Sequence, residues 1–561
     1  MDATATILAI REARQQREFV EALSDPRAAQ AQVFARLLAR LRDTRFGQEH
    51  GLDRVRTLAD FRAAVPIRDH QALSPWIRRI EQRESRVLTP EPVILFNRTS
   101  GTTSEPKHVP VTVSWREEMA ALMRLWIVRS LRQHPRQLSG HILTIVSPAH
   151  EGLTPGGIPW GALSGLTALR MPALIRRKQA LPYEVSLIRD AATRRKVTLL
   201  LALGRNLTTI GTPNPTTLLV LASTLADEAM WLLRTMHDGL SRVEELDVIE
   251  APGTDPRGVR ETLAAACRPV QTRARELTRL LERHDRLTPH LAWPELQLVT
   301  CWLGGTAGLR AHELVPWYGE VPKRDLGLLA SEGRFTIPDR DEDPAGPPTL
   351  HRVLFEFVPE AEADTPEPRT LGIHELEDGQ RYLLVTTGSN GLTRYAIHDV
   401  VEVRGFAGRT PRLAFLRKGS DWTSLTGEKL HVGQVIAAWQ EALASRSWQL
   451  PPFQLVAHEA TGTYRLLVEL PTGPDVPSRD QLDRFVRDFD RALRIGNVEY
   501  DHKRADGRLE APELWPMRPG WSERVADRLF ATGVREHQFK WRHLTTRWDP
   551  AHDAERLQEG P

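Results

Sequence analysis

Residues 197–226 read VTLLLALGRNLTTIGTPNPTTLLVLASTLA, the most apolar region of the chain. A bilayer-spanning helix needs about 20 apolar residues without interruption. Arg205, Asn206, Pro213, Asn214 and Pro215 break this run, so it reads as buried helices separated by a turn, with no membrane span. The N-terminus, MDATATILAIREARQQREF, carries charges within its first dozen residues and has no apolar core of signal-peptide type. Two cysteines in 561 residues, Cys267 and Cys301, do not make a disulfide framework. A reduced, cytoplasmic setting is the expectation.

A chain of this length exceeds what one hydrophobic core serves, so at least two domains are expected. The formal net charge is only +3, and the Arg excess behind it is spread along the chain. Nucleic acid is therefore not expected as a partner, because phosphate-backbone binding needs Lys and Arg concentrated on one face. Residues 1–90 and 113–300 carry apolar positions at helical spacing, interrupted by turn-forming SPAHEGLTPGGIPWGALSG and GTPNP. Short strand-like runs follow in LQLVTCWLGG, LGLLASEGRFTI, VLFEFV and RYLLVTTGSNGLTRYAIHDVVEVRGF. After about Leu430 the texture changes to helix, two strands, a long helix, a strand near Val498 and a final helix, about 130 residues and a reasonable domain size. The expected fold is mixed α/β, with a large domain over 1–428 whose sheets are flanked by helices and a small α+β domain over 429–561.

Five stretches carry chemistry. In TSGTTSEPK, Gly101 permits close backbone approach, Thr99, Ser100, Thr102, Thr103 and Ser104 offer hydroxyl donors, and Lys107 a cation. Such a loop after a buried strand suits a phosphate, or is an exposed polar turn. Glu332 in LLASEGRF ends a strand, where a carboxylate holds a divalent ion against phosphate oxygens or simply faces solvent. Asp399 in GLTRYAIHDVVEV suits two ribose hydroxyls, or pairs with Arg394 as a structural salt bridge. The neighbouring His398 is assigned no role, a strand-end histidine being more often a packing residue. Arg417 and Lys418 precede Gly419 where the two textures meet, and Lys540 lies between Phe539 and Trp541; both reach a nucleotide or are ordinary surface cations. No GxSxG, HExxH or GxGxxG is present, which disfavours serine hydrolase, zinc protease and dinucleotide-dependent readings.

Taken in order, these blocks resemble one family. From DTRFGQEHGL and DFRAAVPIRDH through TSGTTSEPKHVPVT, LLASEGRF and GLTRYAIHDVVEV to SLTGEKL, NVEYDHKRADGRL and HQFKWRHL, the chain is similar to the GH3 acyl-acid amido synthetases. These are acyl-adenylate-forming enzymes of the firefly-luciferase-like superfamily, and the bacterial-type members look nearer than the plant ones. The resemblance implies a ligase that adenylates a carboxylic acid with ATP and Mg²⁺ and passes the acyl group to an amine, usually of an amino acid. It implies that Thr99 to Lys107 wrap the phosphates, that Ala330 and Ser331 lie near the adenine, and that Glu332 binds Mg²⁺. It further implies that Asp399 holds the ribose with Arg417 as a second contact at the start of a hinge, and that Lys540 swings over the α-phosphate. Two departures stand out: His398 occupies a position where plant relatives usually carry Gly, and Trp541 and Arg542 follow Lys540 where a small residue and Pro are common. A coenzyme A acceptor and a catalytically silent binding protein are the alternatives.

Overall fold

The computed structural model describes residues 3–98, 107–308, 310–363, 365, 368–419, 422–426, 428, 430–444, 446, 448, 450–458, 461, 463–472, 476–505, 507–531, 539 and 541–557. The chain folds as two compact units, residues 1–416 and residues 417–535 with 539–561. The division falls at Leu416/Arg417, whereas the change of sequence texture suggested 428/429.

Among the described residues the first unit has three four-stranded sheets and one two-stranded hairpin. Strand β1 (Val93–Arg98) pairs antiparallel with β2 (His108–Thr112) and parallel with β5 (Pro159–Gly161), which in turn pairs with β4 (Gly152–Leu153). Apolar Leu95 and Phe96 of β1 are fully buried, and each such side chain contributes about 2 kcal/mol by leaving water. A second sheet is all parallel, in the order β3 (His141–Thr144), β6 (Leu207–Gly211), β7 (Leu298–Cys301) and β8 (Lys323–Asp325). Its central strands, β6 and β7, are apolar or threonine-rich and buried on both faces, as helix-covered parallel strands must be. The third sheet runs β11 (Leu354–Pro359), β12 (Arg381–Thr387), β13 (Tyr395–Ala407) and β14 (Thr410–Lys418). A tight hairpin of β9 (Leu329–Ala330) and β10 (Gly333–Arg334) lies in sequence between the second sheet and the third.

Two apolar cores follow from this arrangement. One gathers β1, β2, β11–β13 and the N-terminal helices around Phe61, Phe96, Trp115, Phe355 and Tyr395. The other surrounds the parallel sheet with the helices of the apolar region noted above, including Leu199, Leu218 and Leu221, and with Leu232 of the next helix. Asn214 caps the helix Pro215–Asp227 by accepting from the Thr216 amide at 2.9 Å, with Pro215 in the first turn, so GTPNP is a helix start. Among the described residues no single helix is long and apolar enough to cross a membrane; the pair Pro215–Asp227 and Ala229–Asp238 bends by 76°. Both cysteines are free and buried, and burial raises their thiols above the usual range.

In the second unit, β15 (Trp422–Thr423) pairs with β16 (Leu430–His431). A four-stranded sheet follows in the order β19 (Glu513–Met517), β18 (Thr463–Glu469), β17 (Phe453–His458) and β20 (Leu544–Thr545). The amphipathic helices Val432–Leu443 and Arg479–Gly496 contribute Trp439, Phe485 and Phe489, whose rings meet Phe453 and each other. The strand expected near Val498 is a helix, Val498–Ala505. Asn497 accepts from the Tyr500 amide at 2.9 Å and so starts it, and Val498 itself is 67% exposed, leaving a strand nothing to bury there.

Candidate active site

The chemistry-bearing segments of the first unit converge through a few long-range hydrogen bonds. The hairpin β1–β2 ends with Arg98 paired to His108. Lys107, half-buried, directly precedes that pair. Thr99, Ser100, Gly101, Thr102, Thr103 and Ser104 lie outside the described residues, as does Lys540. Arg98 lies 3.7 Å from Glu151 and stacks its guanidinium over the Trp160 ring at 4.7 Å. On the other side of the pair, His108 Nδ1 meets Glu81 Oε1 at 2.6 Å.

Asn97, one residue before Arg98, is the hub. It is 6% exposed; its amide nitrogen donates to the Ser331 carbonyl at 3.2 Å and its carbonyl oxygen accepts from the Leu163 amide at 3.1 Å. Ala330 and Gly333 pair across the β9–β10 hairpin, which puts Ser331 and Glu332 at its tip. The Glu332 carbonyl accepts from Asn390 Nδ2 at 3.4 Å, and its Oε1 accepts from the Tyr395 hydroxyl at 3.2 Å. Burial first, and then the Glu332 charge, raise the Tyr395 phenol well above its ordinary pKa, so it stays protonated and donates. Asn390 sits in the turn between β12 and β13, where Gly391 has φ +90° and a Cβ would lie 2.3 Å from the Leu88 carbonyl oxygen. Only glycine fits that approach.

Asp399 lies on β13, four residues beyond Tyr395, and is 2% exposed. The salt bridge with Arg394 that the sequence left open is not the one formed. Arg394 forks onto Glu356 at 3.0 and 3.1 Å and donates to the Arg62 and Val65 carbonyls at 3.1 and 2.6 Å. Arg417 belongs to the second unit, is 9% exposed, and donates to the Lys418 carbonyl at 3.2 Å.

Sequence reading missed Asn97, Asn390 and Tyr395, whose partners lie 234, 58 and 63 positions away. It also missed Asp325 at the carboxyl end of β8, 2% exposed and accepting from the Leu303 and Gly327 amides at 2.5 Å each. Burial pushes this carboxyl up to about 7. Asp325 thereby fastens the loop after β7 to the approach to β9, at the end of a parallel sheet where ligands of α/β folds bind.

Comparison with known proteins fits this arrangement. Three family models match in succession: the GH3 family N-terminal domain over residues 15–322, the central domain over 347–418 and the C-terminal domain over 431–548. The chain is 25% identical over 547 residues to the indole-3-acetic acid-amido synthetase GH3.8 of Oryza sativa subsp. indica, covering 91% of this chain and 87% of that one. It is 25% identical over 423 residues to the jasmonoyl–L-amino acid synthetase JAR4 of Nicotiana attenuata, covering 71% and 70%. Among solved structures, AtGH3.15 acyl acid amido synthetase in complex with 2,4-DB superposes with a TM-score of 0.81 at 18% identity, over 97% of this chain and 96% of that one. The first family model alone spans more than half of the residues, and the chain belongs to the GH3 family of acyl-acid amido synthetases.

Proposed function

We propose that this chain adenylates a hydrophobic carboxylic acid with ATP and transfers the acyl group to the amine of an amino acid, releasing pyrophosphate and then AMP. The observation that carries this reading is the tie between motif-bearing strands: Asn97 at the mouth of the hydroxyl loop holds Ser331, and Tyr395 on the Asp399 strand holds Glu332. The strand that leads into the hydroxyl segment, a carboxylate at a hairpin tip and the strand that carries Asp399 are thus tied together.

A carboxylate attacking the α-phosphate of ATP meets a polyanion, so the barrier of the first step is largely electrostatic. Thr99, Ser100, Gly101, Thr102, Thr103 and Lys107 wrap the triphosphate, Ala330 and Ser331 face the adenine, and Asp399 takes the ribose hydroxyls with Arg417 as a second contact. Lys540 sets its ammonium on the α-phosphate, where charge accumulates in the transition state. Losing one such cationic contact costs roughly 3 kcal/mol of barrier, about a hundredfold in rate.

Glu332 fits Mg²⁺. Its carboxylate takes one hydrogen bond, from a neutral phenol, and no group of three or more His, Cys, Asp or Glu able to cage a metal exists among the described residues. Mg²⁺ is held by one or two carboxylates together with substrate phosphates, so a lone carboxylate is the matching donor set. Bound there, the ion would neutralise phosphate charge.

The acyl slot lies among the apolar helices of residues 115–230, which favours a hydrophobic acid. Residues 429–561 are taken as a small mobile domain, and the mixed anhydride has to be kept from water, in a cytoplasmic setting. The decisive experiment is ATP–pyrophosphate exchange with pooled acids, starting from indole-3-acetic acid, jasmonic acid and 2,4-DB. Acid-dependent exchange is expected, followed by amide formation when amino acids and coenzyme A are offered in parallel. ATP binding without exchange on any acid would favour a silent binding protein.

A further inference from the structure

Strand β13 does not run straight into Asp399. Leu383 of β12 pairs with Val400 and Val385 pairs with Ala396, so Ile397, His398 and Asp399 together oppose the single residue Leu384. Bulges of this kind re-aim side chains and cluster beside active sites. Within the bulge His398 has φ +59°, a conformation that glycine adopts freely and a residue bearing a Cβ only at a cost. Arg394 nearby is also left-handed, and its side chain is clamped on buried Glu356. His398 has no such burial to explain it: its side chain is 41% exposed, with Nε2 4.0 Å from Asp69 Oδ2. A strained backbone carrying a half-exposed imidazole points from structure to function.

The carboxylate facing His398 is itself fixed. Asp69 Oδ1 caps the helix His70–Glu81 by accepting from the Ala72 amide at 2.9 Å, which leaves Oδ2 toward the imidazole. The preceding residue, Arg68, is stitched to β13: its amide donates to the Arg394 carbonyl at 3.0 Å, and its carbonyl accepts from the Ala396 amide at 2.8 Å. Asp69 is thereby held at β13 by the same chain that carries His398. The neighbouring imidazole, His70, directs Nε2 to the His108 carbonyl at 3.3 Å.

We propose that His398, with Asp69 beside it, is the catalytic proton acceptor for the amine in the second half-reaction. This rests on the adenylate reading above, which brings the nucleotide to the Asp399 strand that also carries His398. The first half-reaction moves no proton: a carboxylate anion attacks and pyrophosphate leaves. The second must, because the amine arrives as an ammonium. His398 takes one proton, the freed lone pair forms the C–N bond at the acyl carbon, and the C–O bond to AMP then breaks. The second proton on nitrogen passes to solvent as the tetrahedral adduct collapses, giving the amide and AMP. An imidazole beside a fixed carboxylate is suited to that transfer.

The test uses the full-length chain, its His398→Gly and His398→Asn variants, the acid selected by exchange, and two acceptors: the conjugated amino acid and hydroxylamine, which is already unprotonated at neutral pH. Both replacements tolerate a positive φ. The variants are expected to melt no lower than the native chain and to keep pyrophosphate exchange and hydroxamate formation within about threefold, while amide formation falls about a hundredfold and added imidazole restores part of it. Amide formation within about threefold of the native rate overturns the proposal, and so does an equal fall with hydroxylamine. Absence of exchange in the native chain with every acid overturns the adenylate reading and this proposal with it; that failure is told apart because it appears without any substitution.

Discussion

Two carboxylates bond to consecutive residues at the start of β13 and have opposite fates. Glu356 is 1% exposed and receives Arg62 Nε at 2.8 Å as well as both arms of Arg394. Glu332 is half-buried at a hairpin tip and, among the described residues, receives the phenol of Tyr395 alone. Consecutive residues, Arg394 and Tyr395, thus serve a saturated anion and an unsaturated one. A buried charge that has two guanidinium partners is part of the scaffold. One left with a single neutral donor has lone pairs to offer something that comes from outside the protein.

The largest effect expected from breaking this contrast is on stability. Arg394→Ala leaves Glu356 buried with Arg62 alone and frees the Arg62 and Val65 carbonyls, so unfolding free energy should drop by about 3–5 kcal/mol. Urea or thermal unfolding measures it, and a loss below about 1 kcal/mol, the scale of a surface pair, would mean the network is dispensable. Next comes Glu332→Gln, which keeps shape and the Tyr395 partner but removes the charge. Pyrophosphate exchange should fall about a hundredfold or more while stability moves by less than about 1 kcal/mol. If the variant instead unfolds as readily as the Arg394 variant, Glu332 is scaffold after all and the comparison collapses.

How far this contrast was legible in the sequence depends on the distance over which each residue acts. Glu332 and Asp399 stand in blocks whose composition suggests their chemistry, because a strand-end carboxylate and a strand-end aspartate carry local signals. Nothing local marks Asn97: its meaning is a hydrogen bond to a residue 234 positions away. Pairing of Arg394 with Asp399 is one of two readings the sequence leaves open, because the two are close in sequence. The fold sends its guanidinium to Glu356 on β11 instead. The strand expected near Val498 fails on similar grounds: the cap on Asn497 and the bond from Tyr500 to Asp490 at 2.7 Å decide for a helix. The domain-scale outline, helices first, sheets in the middle and a smaller α+β unit last, was readable because it rests on periodicity alone.

Asn97→Ala sharpens the comparison at an intermediate size. It removes the donor to Ser331 and the acceptor for the Leu163 amide, both largely shielded from water, at a cost of about 2 kcal/mol in stability. Because the same residue fastens the Glu332 hairpin to the mouth of the hydroxyl loop, exchange should also slow, by about tenfold. Full exchange activity in a folded Asn97 variant would show that the hairpin holds Glu332 without help from β1.

The smallest effect belongs to Tyr395→Phe, and its direction is the most informative. The ring still fills the core, so only the hydroxyl contact to Glu332, about 1 kcal/mol, is lost. If the phenol orients the carboxylate, its loss lets Glu332 wander, and the Mg²⁺ concentration giving half-maximal exchange should rise about threefold with little change in melting temperature. A fall in that concentration would mean that the phenol and the cation compete for the same lone pairs. Glu332 would then be a carboxylate that the protein satisfies at rest and releases when nucleotide arrives, closer in kind to Glu356 than its exposure suggests.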